Sequence, residues 1–232
     1  MTAIVSNLQA VHHAIEQACQ SANRGAAGVK LLAVSKTFPA AVVREAFAAG
    51  QYEFGESYVQ EALGKMAALR DLDIVWHYIG PVQSNKTRDI AENFAWVHGV
   101  DRLKIAQRLS EQRPTHHPSL NICLQVNVSG ETSKSGVAPQ DVAGLAREVS
   151  NLPRLKLRGL MAIPAPAQDE VVQRSAFAQL RQLWQEMGKQ GIELDTLSMG
   201  MSHDFVAAIK EGATIIRIGT AIFGKRDYGE NR

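Results

Sequence analysis

Apolar and polar positions along this chain follow two periods that take turns. Val5, Leu8, Val11, His12 and Ile15 recur at the spacing of a helix, so an N-terminal helix precedes everything else. A short, mostly apolar run, Val29–Ser35, then reads as a strand that leads into Lys36. Pro39 stands at the favoured first-turn position of a helix whose Ala-rich body reaches Ala49 and stops at Gly50, a natural C-cap. The same pairing repeats in strand Tyr52–Gly55 with helix Ser57–Leu69, and in strand Ile74–Ile79, broken by Gly80-Pro81, with a helix through Asn93. Strand Ala95–Val100 follows, with Asp101 as the predicted N-cap of a helix ending at Glu111. Beyond the polar connection Gln112–Ser119 come strand Leu120–Val128, the polar loop Ser129–Gly136 and helix Pro139–Ser150. Strand Leu155–Ile163 is ended by Pro164 and Pro166, and a long helix, about Asp169–Lys189, precedes strand Thr196–Met199. A short helix then reaches Lys210, and Thr214–Ile218 is the last strand.

Eight apolar strands alternating with seven connecting helices imply a parallel sheet covered on both faces. Eight such units favour a single closed (β/α)8 TIM-type barrel, with an extra N-terminal helix, over an open doubly wound sheet. A chain of 232 residues suits that architecture as one domain over residues 1–232. At this length roughly 70% of the unfolded surface can be buried, so neither disulfide nor structural metal is needed. The net charge of +2 argues against a dedicated nucleic-acid binder. Cys19 and Cys123 lie far apart, as in a reduced cytosolic chain. Met1–Ala10 lacks the basic start of a signal peptide, and no apolar run is long enough for a membrane helix. The expected class is a soluble cytoplasmic protein.

Chemistry in such a barrel gathers at the C-terminal ends of the strands. The first strand ends in Ser35-Lys36, and a lysine in that low-dielectric mouth is either an activated nucleophile or a side chain that snorkels to water. The last strand supplies Arg217-Ile218-Gly219-Thr220, and the seventh ends in Ser198-Met199-Gly200-Met201-Ser202. Loops seven and eight are the usual phosphate site of the fold, although Gly200 and Gly219 could equally do no more than end their strands. His77 reads as a structural histidine, and the adjacent pairs His12-His13 and His116-His117 lack metal-ligand spacing. Gln83–Lys86 opens a helix and suits either capping or an anion contact; Lys134 sits on a mouth loop; Glu56 and Glu61 read as helix-terminal charges.

Longer segments carry a resemblance. Ala33–Thr37, Phe54–Glu61, Trp76–Lys86, Arg158–Pro164, Ser198–Ser202 and Arg217–Gly224 are similar, in order, to the pyridoxal phosphate homeostasis protein family, and to its bacterial members above all. The resemblance implies a barrel like the N-terminal domain of alanine racemase, the fold-type III arrangement of pyridoxal 5'-phosphate (PLP) proteins. It implies that Lys36 forms an internal aldimine with PLP and that Arg217 lies near the pyridine nitrogen. It also implies that Gly219, Thr220, Ser202 and the Ser198–Gly200 turn, with Met201 beside it, cradle the phosphate, and that Met161 stands at the ring wall. Two departures from the family pattern matter: Ser57 replaces an asparagine, and Phe38 stands where bacterial members often carry lysine; Tyr78 in place of phenylalanine is conservative.

A racemase of this fold adds a second acid/base from a further domain, and the residues after the last strand are too few to build one. Of Tyr52, Tyr58, Tyr78 and Tyr228, none is an obvious replacement. The expectation is therefore a monomeric PLP carrier that buffers the cofactor and passes it transiently to apo-enzymes, with no nucleic-acid or membrane partner. A weak racemase or lyase is the alternative, and a Schiff-base aldolase without PLP is a third.

Overall fold

The computed structural model describes residues 2–131 and 135–225. Eight parallel strands close into a barrel in chain order. They are β1 (Lys30–Val34), β2 (Glu53–Glu56), β3 (Val75–Tyr78), β4 (Trp96–Val100), β5 (Leu120–Gln125), β6 (Leu155–Met161), β7 (Thr196–Ser198) and β8 (Ile215–Ile218). Closure comes from β1 pairing with β8, Lys30 opposite Ile215 through Ala33 opposite Ile218. Helix α1 (Ala3–Ser21) precedes the ring. The connections are α2 (Ala40–Ala48), α3 (Val59–Ala68), α4 (Thr87–Asn93), α5 (Leu103–Gln112), α6 (Val142–Ser150), α7 (Glu170–Lys189) and α8 (Phe205–Lys210). A short α9 (Thr220–Phe223) follows β8 and was not foreseen from the sequence. No helix among the described residues is long and apolar enough to cross a membrane.

Alternation along each strand sorts the side chains into two cores. Ala33, Phe54, Val97, Ile122, Leu124, Leu160, Ile216 and Ile218 face outward into the large layer between barrel and helices. Leu32, Trp96, Cys123, Met161 and Ile215 form a separate cluster inside the barrel. Each fully buried Leu, Ile or Phe contributes about 1.5–3 kcal/mol. Helix α1 buries Leu8, Val11, Ile15, Ala18 and Cys19 against this assembly. It is tied to the end of the chain where Asn7 Nδ2 donates to the Ile222 carbonyl at 2.9 Å.

Two boundaries differ from expectation for identifiable reasons. Asp101 does not cap α5: its carboxylate is taken by the Arg102 guanidinium at 2.7 Å, and Arg102 occupies the N-cap without a side-chain bond. The fifth strand stops at Gln125, beyond which Val126 forms an isolated parallel bridge with Val137. Where β6 meets β5 the register slips by one residue, Leu157 facing Ile122 and Gly159 facing Cys123. The extra residue is Arg158, which pairs with Asp195 at 2.7 Å and lies over the Trp96 ring at 4.7 Å.

The bulge leaves no room beyond it, since a Cβ on Gly159 would fall 1.7 Å from the Thr196 carbonyl oxygen in β7. Backbone on backbone cannot yield as a flexible side chain does. Gly159→Ala is therefore expected to lose at least about 3 kcal/mol in urea unfolding, with the m-value unchanged. A loss below about 1 kcal/mol would show that β6 and β7 can separate there without cost.

Candidate functional site

The segment carrying Lys36 is held on both sides. Ser35 donates its hydroxyl to Glu56 Oε1 at 2.6 Å. The Lys65 ammonium, reaching in from α3, donates to the Ser35 carbonyl at 2.7 Å, to Glu56 Oε1 at 2.7 Å and to Glu61 Oε1 at 2.6 Å. On the far side of Lys36 the Thr37 amide donates to Glu61 Oε1 at 2.5 Å. Thr37 stands at φ 72°, a left-handed conformation that a β-branched residue takes only when its surroundings impose it. Glu61 lies in the first turn of α3 as a helix-terminal charge should, but Glu56 does not fit that description. It ends β2, fully buried, and burial pushes its carboxyl up against the opposing pull of Lys65 and Ser35. Ser35 points outward to Glu56, so alternation turns the half-buried Lys36 toward the barrel mouth.

Arg217 faces Leu32 across the β1–β8 pair, below the level of Lys36. Its guanidinium is buried, which lowers its pKa to about 10 and still leaves it charged at neutral pH. Nη1 donates to Ser198 Oγ at 2.9 Å and Nη2 to the Ala162 carbonyl at 2.9 Å. Beneath them lies an unexpected polar file. Ser198 Oγ is 2.8 Å from His98 Nδ1, and His98 Nε2 is 3.0 Å from His77 Nδ1. His77 Nε2 is 3.3 Å from Glu53 Oε2, and Lys30 donates to Glu53 Oε1 at 2.9 Å. Both imidazoles are fully buried, and burial lowers their pKa values, that of His98 most. Burial raises the Glu53 carboxyl, but its bonds and charge contacts with His77 and Lys30 prevail and bring it to about 2. His77 is thus a core histidine, as expected, with polar partners in the barrel interior. His98 escaped the sequence reading; its position two residues after Trp96, on the same face of β4, was the only signal.

The last two loops complete the mouth. Gly200, at φ 94°, leaves no room for a Cβ, which would lie 2.6 Å from that of Ala208; at Gly219 a Cβ would be 2.9 Å from the Val34 carbonyl oxygen. Among the described residues, the amides of Ser202, His203, Thr220 and Ala221 find no acceptor. The Met201 amide is spent on Asp204 Oδ1 at 2.6 Å, and its side chain is exposed. Ser198, expected in the phosphate cradle, has its hydroxyl buried between His98 and Arg217, below those amides. Met161 is buried in the interior apolar cluster. A cavity of about 230 Å³ opens at the same end, lined by Ile79, Pro81, Gln125, Ser135 and Ile163.

An amine, a guanidinium that can only donate, and free amides beside two glycines make a donor set that fits a phosphorylated aromatic aldehyde. Among the described residues no His, Cys, Asp and Glu cluster could hold a metal ion. Cys123 is no competing nucleophile, since burial pushes its thiol up to about 12. Lys134 and Tyr228 lie outside the described residues.

Comparison with known proteins gives this arrangement a context. The family model of the alanine racemase N-terminal domain matches residues 6–227. The pyridoxal phosphate homeostasis protein of Pseudomonas aeruginosa is 63% identical over 229 residues, which is 99% of this chain and 98% of that one. PipY of Synechococcus elongatus, solved with PLP bound, is 39% identical with a TM-score of 0.84, covering 95% of this chain and 100% of PipY. Alanine racemase from Corynebacterium glutamicum shares the fold at a TM-score of 0.72 and 18% identity, covering 99% of this chain and 63% of the racemase. The chain belongs to the alanine racemase N-terminal domain family and, within it, to the pyridoxal phosphate homeostasis proteins.

Proposed function

We propose that this protein binds PLP at the barrel mouth and serves intracellular PLP homeostasis, holding the cofactor for release to apo-enzymes and not turning over amino acids. The observation that carries the reading is the convergence of Lys36, Arg217 and the free amides of loops seven and eight on one end of the barrel. When bound, PLP supplies an aldehyde that condenses reversibly with a primary amine. Lys36 is the amine, held in place by the anchored residues on either side of it. Arg217 offers N–H groups to the ring nitrogen; because the guanidinium stays protonated, it favours an unprotonated ring, a poor electron sink. Ser202, Gly219 and Thr220 hold the phosphate through main-chain donors, with Gly200 letting the loop pass close to α8. Met201 supplies backbone to that loop, Met161 closes the apolar floor, and Ser198 acts through Arg217.

The cavity lining supports holding over turnover. Ile79, Pro81, Gln125, Ser135 and Ile163 carry no group that titrates near neutral pH to exchange an α-proton. Relatives named for PLP homeostasis support the same reading, which we extend to a monomer acting in the cytoplasm.

Incubation with PLP followed by borohydride should fix one cofactor mass on the peptide containing Lys36, and Lys36→Ala should abolish it. Label on another lysine would overturn the assignment, and stereospecific α-proton exchange lost in Lys36→Ala would establish an enzyme instead. Arg217→Ala should weaken PLP retention by about tenfold or more in an absorbance titration, the cost of losing charge-assisted donation in a buried site. Unchanged affinity would remove Arg217 from the site.

A further inference from the structure

The polar file beneath Arg217 favours one arrangement of protons, set by a guanidinium at one end and a carboxylate at the other. A guanidinium donates and never accepts, so Ser198 Oγ is the acceptor for Arg217 Nη1 at 2.9 Å. The single hydroxyl proton is then free to donate to His98 Nδ1, 2.8 Å away. A ring nitrogen that accepts carries no proton, and burial keeps His98 neutral, so its proton is on Nε2. That N–H points at His77 Nδ1 at 3.0 Å, which by the same logic puts the His77 proton on Nε2. Nε2 lies 3.3 Å from Glu53 Oε2, a charge contact without hydrogen-bond alignment, and neither atom has a hydrogen-bond partner among the described residues. Donors thus run one way through Arg217, Ser198, His98 and His77, and the file ends in the charge contact with Glu53, crossing the interior from β8 to β2. Reversing the imidazoles would set the bare lone pair of His77 Nε2 against the Glu53 carboxylate, which is ionised, its pKa lowered to about 2.

We propose that Glu53, His77 and His98 are positioning residues for Arg217: a file of fixed tautomers that keeps Ser198 turned to accept from the guanidinium and so fixes the donors Arg217 presents to the ligand. The proposal rests on the reading of the mouth as a PLP site. Its consequence is specific: the site selects a heteroaromatic ring whose nitrogen accepts, and it does so through residues that never touch that ring. Trp96 contributes by stacking on His77, ring centroids 5.3 Å apart and 5° from parallel, which stops the imidazole from rotating out of the file.

Long-range ¹H–¹⁵N correlation on histidine-labelled full-length protein, without added PLP, tests the file directly. Both buried imidazoles should be neutral with the proton on Nε2 from about pH 6 to 8. A proton on His98 Nδ1, or either ring charged at about pH 6, would overturn the proposal. Two variants extend the test to the ligand. His98→Leu removes the acceptor of the Ser198 hydroxyl and should weaken PLP binding about tenfold. His98→Asn offers an amide oxygen in place of Nδ1 and should restore most of that loss. Wild-type affinity in a folded His98→Leu protein would also overturn the proposal. Should either variant fail to fold, the tautomers of the parent protein still decide. If the parent takes up no PLP on Lys36 while the tautomers are as stated, the function reading fails and the file stands.

Discussion

A charged guanidinium inside a closed barrel has no water to solvate it, so the protein must do so, and the arrangement around Arg217 follows from that requirement. Burying such an ion without partners costs several kcal/mol. A carboxylate in contact would be the simplest remedy, but among the described residues Arg217 meets only neutral acceptors, the Ser198 hydroxyl and the Ala162 carbonyl. The charge is therefore solvated without being cancelled. It stays available at the floor of the mouth, where free main-chain amides already favour an anion. The carboxylate whose charge acts on Arg217 is that of Asp204, which makes no direct bond to it, while Glu53 at the other end of the file is paired with Lys30.

The clamp behind Lys36 solves the opposite problem. Lys65 is almost fully buried outside the barrel wall and faces two carboxylates, Glu56 and Glu61, that share its ammonium. Its charge is matched locally, and what it provides is geometry: the carbonyl and hydroxyl of Ser35 and the amide of Thr37 are all fixed through this cluster. One buried cation is left without a carboxylate in contact, and another is matched locally and holds the turn that carries Lys36. The two cations stand on opposite sides of a single wall of strands.

This division explains what the sequence could and could not reveal. Strand and helix order was legible because parallel strands buried on both faces must be apolar, and each β/α unit repeats that pattern. Lys36, Gly200, Gly219 and Arg217 were singled out because they stand at the C-terminal ends of strands, and the family resemblance supplied their expected roles. The two polar clusters were not. His98 within Trp96–Val100 looks like any polar residue on an alternating strand, and its partners lie on β3 and β7, 21 and 100 residues away. Glu56 passed for a helix-terminal charge because its cation, Lys65, sits on the next helix with nothing in the local pattern to mark it as buried. Ser198 was placed in the phosphate cradle by the family resemblance, and the parity of β7 sends its hydroxyl inward to His98 and Arg217. Pairings across strands are set by barrel closure, which leaves no trace in linear spacing.

Phe38 shows how one departure from the family pattern is absorbed. The position sits two residues after Lys36, and its amide donates to the Ser35 carbonyl at 3.1 Å, so it belongs to the same turn. Its ring packs on Phe223 with centroids 5.2 Å apart and planes tilted by 37°. Phe223 closes α9, whose first residue is Thr220, and its amide donates to the Gly219 carbonyl at 2.9 Å. The aromatic pair therefore ties the loop bearing the Lys36 amine to the loop bearing the free amides of Thr220 and Ala221. Such a pair contributes about 0.5–1.5 kcal/mol beyond the area it buries. A lysine at this point would add to the positive potential of the mouth, but it could not make that contact. Here the separation between the two halves of the site is set by apolar packing, which salt does not screen as it would an exposed charge.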